Sequence, residues 1–148
     1  MEITPALSQL LKEASYAQLA TVMPDGAPQM TQVWVDTDGT HILVNTVATH
    51  QKSKNVRRDS RVAINVHDPA HPYRIANIRG RVVEVTTVGA DEHIDRLAKK
   101  YLGADQYPFH RPGQQRIMLK IQPEKIHSIG LDEDGGQPAW SVASQPRS

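Results

Sequence analysis

The chain contains no cysteine, and this absence removes several kinds of chemistry at once. Without thiols there is no disulfide framework, thiolate zinc site, iron–sulfur cluster or cysteine nucleophile. Any redox reaction of this protein must therefore depend on a bound cofactor.

Aromatic residues and net charge are also low. The 148 residues include one Phe, two Trp and four Tyr, and the formal charge is +1 at pH 7. A small barrel that binds oligonucleotides stacks bases on aromatic side chains, and nucleic-acid binders usually carry a strong positive field. We therefore expect no nucleic-acid partner.

Long apolar runs are missing as well. No stretch approaches the length that spans a bilayer, and the N-terminus reads Met-Glu-Ile-Thr-Pro, without the basic and apolar regions of a signal peptide. These features predict a cytoplasmic protein with no membrane partner.

The residue pattern predicts one mostly β domain over residues 1–148. A helix lies within residues 1–15, with Thr4 as its cap, and a second helix covers residues 90–102 and ends at Gly103. Residues 131–148 form a polar tail, in which Trp140 is expected to dock on the body or on a partner subunit. Between these segments we expect a strand that begins at residue 16 and ends before the turn at residues 24–26, strands at residues 28–36, 41–46, 61–67 and 74–87, and a strand pair broken at Pro123 within residues 116–129. Short turns between these strands favour a small antiparallel barrel.

The segment from residue 41 to residue 66, HILVNTVATHQKSKNVRRDSRVAINV, contains a strand, a basic turn and a second strand. Thr49 or His50 is expected to cap a short helix that begins near Gln51 and carries Lys52 and Lys54. Helix N-termini bind phosphate through unpaired N–H groups, so helix and lysines can act on one anion. The alternative reading is a solvated basic helix that closes a strand connection.

Other catalytic constellations are weak. The seven histidines include no H-E-x-x-H motif, and no serine lies in a nucleophile elbow. The sequence therefore predicts neither a metal site nor hydrolase chemistry, and it nominates no catalytic side chain.

Several blocks together resemble one family: ATVMPDGAPQMTQVWVD, ILVNT, the Lys-x-Lys-Asn of residues 52–55, RRDSRVAI, PYR with IRGRVVEV, and ADEHIDRLAKKYLG. They resemble the split β-barrel flavin and deazaflavin oxidoreductases related to pyridoxamine 5′-phosphate oxidase, and within them the branch that uses coenzyme F420. The resemblance covers roughly residues 10–129. It implies a six-stranded antiparallel split barrel of the FMN-binding type and a homodimer with a cofactor in each of two grooves at the subunit interface.

The resemblance also implies a set of cofactor-binding residues. Two strands are expected to carry the ring system through Gln32, Val33, Trp34 and Val35 and through Asn45, Thr46 and Val47. The phosphate is expected to meet His50, Gln51, Lys52, Lys54 and Asn55. The partner subunit is expected to contribute Tyr73, Ile78 and Arg79.

The implied activity is a reductase that passes a hydride from reduced F420 to a small organic acceptor such as an activated double bond or a quinone. Pyridoxamine-phosphate oxidases that resemble this chain carry Arg-Lys where it has Gln51-Lys52, and a lysine where it reads Val33-Trp34-Val35. These departures weaken the case for that enzyme's activity. The remaining alternatives are a non-catalytic F420 carrier and an FMN-dependent oxidoreductase.

Overall fold

The computed structural model describes residues 2–131, so the predicted tail with Trp140 lies outside the described residues. The described part contains three helices: α1 (Pro5–Lys12), α2 (Gln51–Arg58) and α3 (Ala90–Leu102). Its strands are β1 (Tyr16–Val22), β2 (Pro28–Val33), β3 (Val35–Thr37), β4 (Ile42–Val47), β5 (Arg61–Asp68), β6 (His71–Thr86) and β7 (Arg116–Ile129). None of these helices is long and apolar enough to cross a bilayer.

The strands form one antiparallel sheet in the order β2-β1-β5-β6-β7-β4-β3. Strands β2 and β3 lie at opposite edges of this order, yet Trp34 alone separates them in the chain. The sheet must therefore curl until its edges meet at Trp34, which confirms the mostly β barrel with flanking helices.

The described residues contain seven strands, so the expected count of six was wrong. The predicted strand at residues 28–36 is two strands, because the chain leaves β1 after Val33 and pairs with β4 from Val35 onward. Residues 116–129 are one continuous strand, where a pair broken at Pro123 was expected. The pairing between β6 and β7 shifts its register between Arg79 and Gly80. Pro123 lies opposite Gly80 at this irregularity, so the strand continues past the proline.

Gly80 allows β6 and β7 to approach closely at this register shift. A Cβ built on Gly80 would lie 2.3 Å from the backbone oxygen of Gln122. The two backbones approach so closely that a glycine is required at this register shift.

The predicted helix boundaries follow from local chemistry. Thr4 Oγ1 accepts a hydrogen bond from Leu7 N at 3.3 Å, and Gly103 ends α3 in the left-handed conformation with φ 71°. Helix α1 buries Leu7, Leu10 and Leu11 completely and so closes one end of the barrel core.

Lys100 joins α3 to α1 and β3. Its ammonium donates to the carbonyl oxygens of Leu11, at 2.9 Å, and Val35. Burial lowers the pKa of Lys100 from 10.5 to about 8, against the opposing effect of the Asp36 carboxylate.

This pKa predicts a pH-dependent stability. Between pH 8 and 10.5 the folded protein binds fewer protons at Lys100 than the unfolded chain does, so the free energy of unfolding rises with pH in that window. Denaturant unfolding at several pH values should show this rise, and Lys100→Met should reduce it. If the free energy of unfolding rose equally steeply with pH in Lys100→Met, other groups would be its cause.

Candidate functional site

A cleft of about 370 Å³ opens where the β2–β3 crossing, the end of β4, the start of α2 and the loop before β7 come together. Its walls are formed by Gln32, Val33, Trp34, Asn45, Thr46, His50, Lys52, Ile94, Tyr107, Phe109 and Arg116. The cleft is therefore apolar and aromatic along one side and basic at one corner.

The basic corner consists of His50, Lys52 and Arg116. Arg116 is 8% exposed, and neither it nor Lys52 forms an ion pair with a carboxylate within residues 2–131. The Arg116 Nε atom is buried without a hydrogen-bond partner in that part of the chain. A buried cation without a counter-ion is costly, so this corner is suited to an anionic ligand.

The pKa values at this corner reflect burial first and the crowding of positive charge second. Burial lowers the pKa of Lys52, and the Arg116 guanidinium lowers it further. Partial burial, Lys52 and Arg116 together lower the pKa of His50. A bound anion would relieve these unfavourable interactions.

Helix α2 sets the position of Lys52. The helix begins at Gln51 as predicted, and His50 is its N-cap residue but makes no side-chain hydrogen bond to the first turn. Ser53 Oγ donates to Val47 O at 2.7 Å and so fixes the first turn against the end of β4. The first turn consequently holds Lys52 at the end of β4, where its side chain lines the cleft.

Aromatic side chains build the wall that adjoins the basic corner. The Trp34 ring stacks on Tyr101 with centroids 5.1 Å apart and planes 5° apart, and its edge meets Tyr107 at 5.9 Å. Tyr107 also packs against Phe109 at 5.6 Å and lies 4.6 Å from the Arg116 guanidinium carbon. Asp95 Oδ1 accepts a hydrogen bond from Tyr107 N at 2.9 Å, which anchors this loop to α3.

A polar chain of side chains lies behind the cleft. Arg116 Nη1 is 3.3 Å from Asn45 Oδ1, and Asn45 Nδ2 is 3.2 Å from His93 Nδ1. His93 is fully buried, and its Nε2 is 3.6 Å from Asp36 Oδ2, an electrostatic contact longer than a hydrogen bond. Burial would raise the pKa of Asp36, but His93, the Thr37 N–H and Lys100 outweigh burial and lower it.

The structure brings together about half of the residues expected to bind a cofactor. Those that line the cleft are Gln32, Val33, Trp34, Asn45, Thr46, His50 and Lys52. Val35 and Val47 are buried beside it, and Gln51, Lys54 and Asn55 follow on α2. Their contacts with a ligand stay predictions.

Three expected residues lie elsewhere in this chain. Ile78 and Arg79 border a different depression of about 380 Å³ on the sheet, which Lys125 and His127 also line. Tyr73, at the start of β6, is 62% exposed and does not line the cleft. These three residues were expected to contact the cofactor bound in the partner subunit's groove, and this expectation stays a prediction.

Sequence reasoning missed Arg116, Ile94, Tyr107 and Phe109 as cleft residues. Arg116 pairs with Val47 across β4 and β7, which places it beside the start of α2 although it is distant in sequence. One signal was available for Arg116, because a charged residue directly precedes the apolar run Ile117–Leu119. Tyr107 and Phe109 lie in a loop without periodic pattern and gave no such signal.

The curled antiparallel sheet with its flanking helices defines a split-barrel protein, and its cleft combines basic and aromatic side chains. Residues 3–130 match the family model described as pyridoxamine 5′-phosphate oxidase. The chain belongs to this family, and its fold is that of an oxidoreductase family.

Solved structures agree with this assignment. An F420 reductase is 29% identical, with a TM-score of 0.71, over 81% of this chain and 94% of the other. A conserved hypothetical protein from Mycobacterium tuberculosis is 21% identical, with a TM-score of 0.63, over 96% of this chain and 88% of the other. A putative pyridoxamine 5′-phosphate oxidase from Lactobacillus delbrueckii is 23% identical, with a TM-score of 0.59, over 86% of this chain and 94% of the other. The last two likenesses show the fold alone, and no curated protein matches the chain.

Proposed function

We propose that the protein is a coenzyme F420-dependent reductase that transfers a hydride from the reduced deazaflavin to a small organic acceptor, such as an activated double bond or a quinone. The observation that carries this proposal is the buried Arg116, with Lys52 and His50 beside it, at one corner of an aromatic-walled cleft. The 29% identity with an F420 reductase supports the choice of cofactor.

The basic corner fits the anionic part of such a cofactor. Arg116 has an unpartnered buried Nε, and Lys52 has a free ammonium directed at the same cleft, as far as residues 2–131 show. Charge-assisted hydrogen bonds from these groups contribute about 1.5–3 kcal/mol each when partly desolvated. The uncapped first turn of α2 adds backbone N–H groups.

The rest of the cleft suits a flat ring. Val33, Trp34 and Ile94 supply apolar surface, and Tyr107 closes the side near Arg116. A reduced deazaflavin held there would supply the hydride. The protein's own contribution is to orient the ring and the acceptor and to exclude water, which needs no reacting side chain.

We also propose a homodimer with a cofactor at each of two interface grooves. Tyr73, Ile78 and Arg79 do not line the cleft of their own chain, so they can serve a cofactor only across a subunit interface. Light scattering at micromolar concentration should give the mass of a dimer, and a monomer would contradict this part of the proposal.

Titration with oxidised F420 and with FMN tests the choice of cofactor. We expect fluorescence quenching to give a dissociation constant for F420 at least about tenfold lower than that for FMN, because its phosphodiester and carboxylates offer more anionic groups to the basic corner. Tight FMN binding without F420 binding would favour the FMN-dependent alternative, which the family match also allows.

A second measurement separates an enzyme from a carrier. Reduced F420 is mixed with the protein and a panel of enones, quinones and nitroaromatics, and deazaflavin absorbance is followed. We expect oxidation that depends on both protein and acceptor. Tight binding without oxidation across the panel would indicate a carrier.

A further inference from the structure

His93 on α3 is fully buried and does not line the cleft, yet it contacts a residue that does. Its Nδ1 lies 3.2 Å from Asn45 Nδ2, and Asn45 Oδ1 in turn lies 3.3 Å from Arg116 Nη1. The imidazole therefore sits one side chain behind the guanidinium that forms the anion corner.

The Asn45 amide can have one orientation only. The carbonyl oxygen of Ala90, 2.8 Å from Nδ2, can only accept, and the guanidinium of Arg116 can only donate. Both partners place the amide nitrogen toward α3 and the amide oxygen toward Arg116. The second N–H of the amide then points at His93 Nδ1.

This orientation fixes the tautomer of His93. Because Nδ1 accepts from Asn45, the ring proton is on Nε2, which faces Asp36 Oδ2 at 3.6 Å. The donor direction thus runs from Arg116 to Asn45 and from Asn45 to His93, and it ends there, because within residues 2–131 His93 Nε2 has no hydrogen-bond partner and lies 3.6 Å from the Asp36 carboxylate. Within residues 2–131, Asn45 Oδ1 is the hydrogen-bond acceptor that holds the Arg116 side chain.

We propose that His93 is a positioning residue for Arg116: by accepting from the Asn45 amide it keeps Asn45 Oδ1 turned toward the guanidinium and so holds Arg116 in place for the anionic group of the cofactor. Without the acceptor at Nδ1, one Asn45 N–H loses its partner, and the Ala90 carbonyl oxygen alone then holds the amide from the α3 side. With one contact on that side instead of two, Asn45 Oδ1 holds the Arg116 guanidinium less firmly at the anion corner. The identity of the ligand in this proposal rests on the proposed function, whereas the arrangement of His93, Asn45 and Arg116 does not depend on it.

Two substitutions of His93 separate positioning from general packing. His93→Phe keeps an aromatic ring and removes the acceptor, whereas His93→Asn retains an acceptor near the position of Nδ1 in a smaller side chain. We expect the dissociation constant for oxidised F420 to rise about tenfold in His93→Phe and to stay within about threefold of the wild type in His93→Asn. Unchanged affinity in His93→Phe, or an equal loss in both variants, would overturn the proposal.

A measurement without ligand keeps the inference independent of the cofactor. Nitrogen-15 NMR of the wild-type protein should show His93 protonated on Nε2, and the Arg116 Nε–H signal should shift or broaden in His93→Phe but not in His93→Asn. Protonation on Nδ1, or an unchanged Arg116 signal in His93→Phe, would overturn the proposal. If the wild type binds no F420, the proposed function fails, and these spectra still decide whether His93 positions Arg116.

Discussion

Replacing Arg116 with glutamine should raise the dissociation constant for F420 by about ten- to a hundredfold, the loss expected for one partly buried charge-assisted contact. Glutamine retains polar atoms and much of the length of arginine, so the change tests charge and the guanidinium donors. Arg116 is expected to dominate because it is almost fully buried, whereas His50 is exposed. Fluorescence titration with oxidised F420 gives the constant directly.

The same substitution should not destabilise the ligand-free protein. Arg116 and Lys52 repel each other and no carboxylate in residues 2–131 pairs with either, so removing one cation relieves an unfavourable interaction. We therefore expect the free energy of unfolding to stay equal or increase in Arg116→Gln while affinity falls. A large loss of stability would mean that Arg116 is a structural residue.

Two lysines on α2 supply a matched control. Lys52 lines the cleft, whereas Lys54 is exposed two residues further on and does not line it. Lys52→Gln should weaken F420 binding by about 1–3 kcal/mol and Lys54→Gln by less than about 0.5 kcal/mol. Equal losses would place Lys54 on the anionic group as well, as the family resemblance implies, or would indicate a diffuse electrostatic attraction if high salt abolished them.

The elements that sequence alone predicted are those set by local chemistry. Thr4 caps the start of α1, where a side-chain oxygen is needed to accept from a free N–H group. Gly103 caps the end of α3, where a residue in the left-handed conformation is needed. The break at Trp34 was not predictable in this way, because the apolar pattern continues through Val33 and Val35. The break depends on which strand each half of residues 28–37 pairs with. Residues 28–33 pair with β1, and residues 35–37 pair with β4.

The site shows the same division. His50 and Lys52 follow from a local pattern, a basic helix after a buried strand, and the structure places both in the cleft. Arg116 and Tyr107 reach it through the β4–β7 register and a loop anchored on Asp95. Such long-range contacts leave no periodic trace, so the sequence predicted one side of the anion corner and missed the other.

Asn55→Ala is expected to have the largest effect on stability, lowering the free energy of unfolding by about 2–4 kcal/mol. Asn55 is completely buried, and its Nδ2 lies 2.9 Å from Thr21 Oγ1 and 3.3 Å from the Met23 sulfur. Its Oδ1 accepts from Gln51 Nε2 at 2.8 Å. Removing the amide takes a donor from the buried Thr21 hydroxyl and an acceptor from Gln51, and it loosens α2 from β1, which denaturant unfolding measures directly.

A control and a binding measurement distinguish two roles for Asn55. Asn65→Ala removes a comparable amide whose 2.7 Å bond to Asn77 is exposed, and it should cost less than about 1 kcal/mol. Because α2 carries Lys52, Asn55→Ala should also weaken F420 binding several-fold through the displaced helix. Loss of affinity with unchanged stability would instead place the Asn55 amide on the cofactor, as the family resemblance implies. The amide's buried contacts with Thr21 and Gln51 favour the first result, in which this residue acts on the site by holding the helix that bears its lysine.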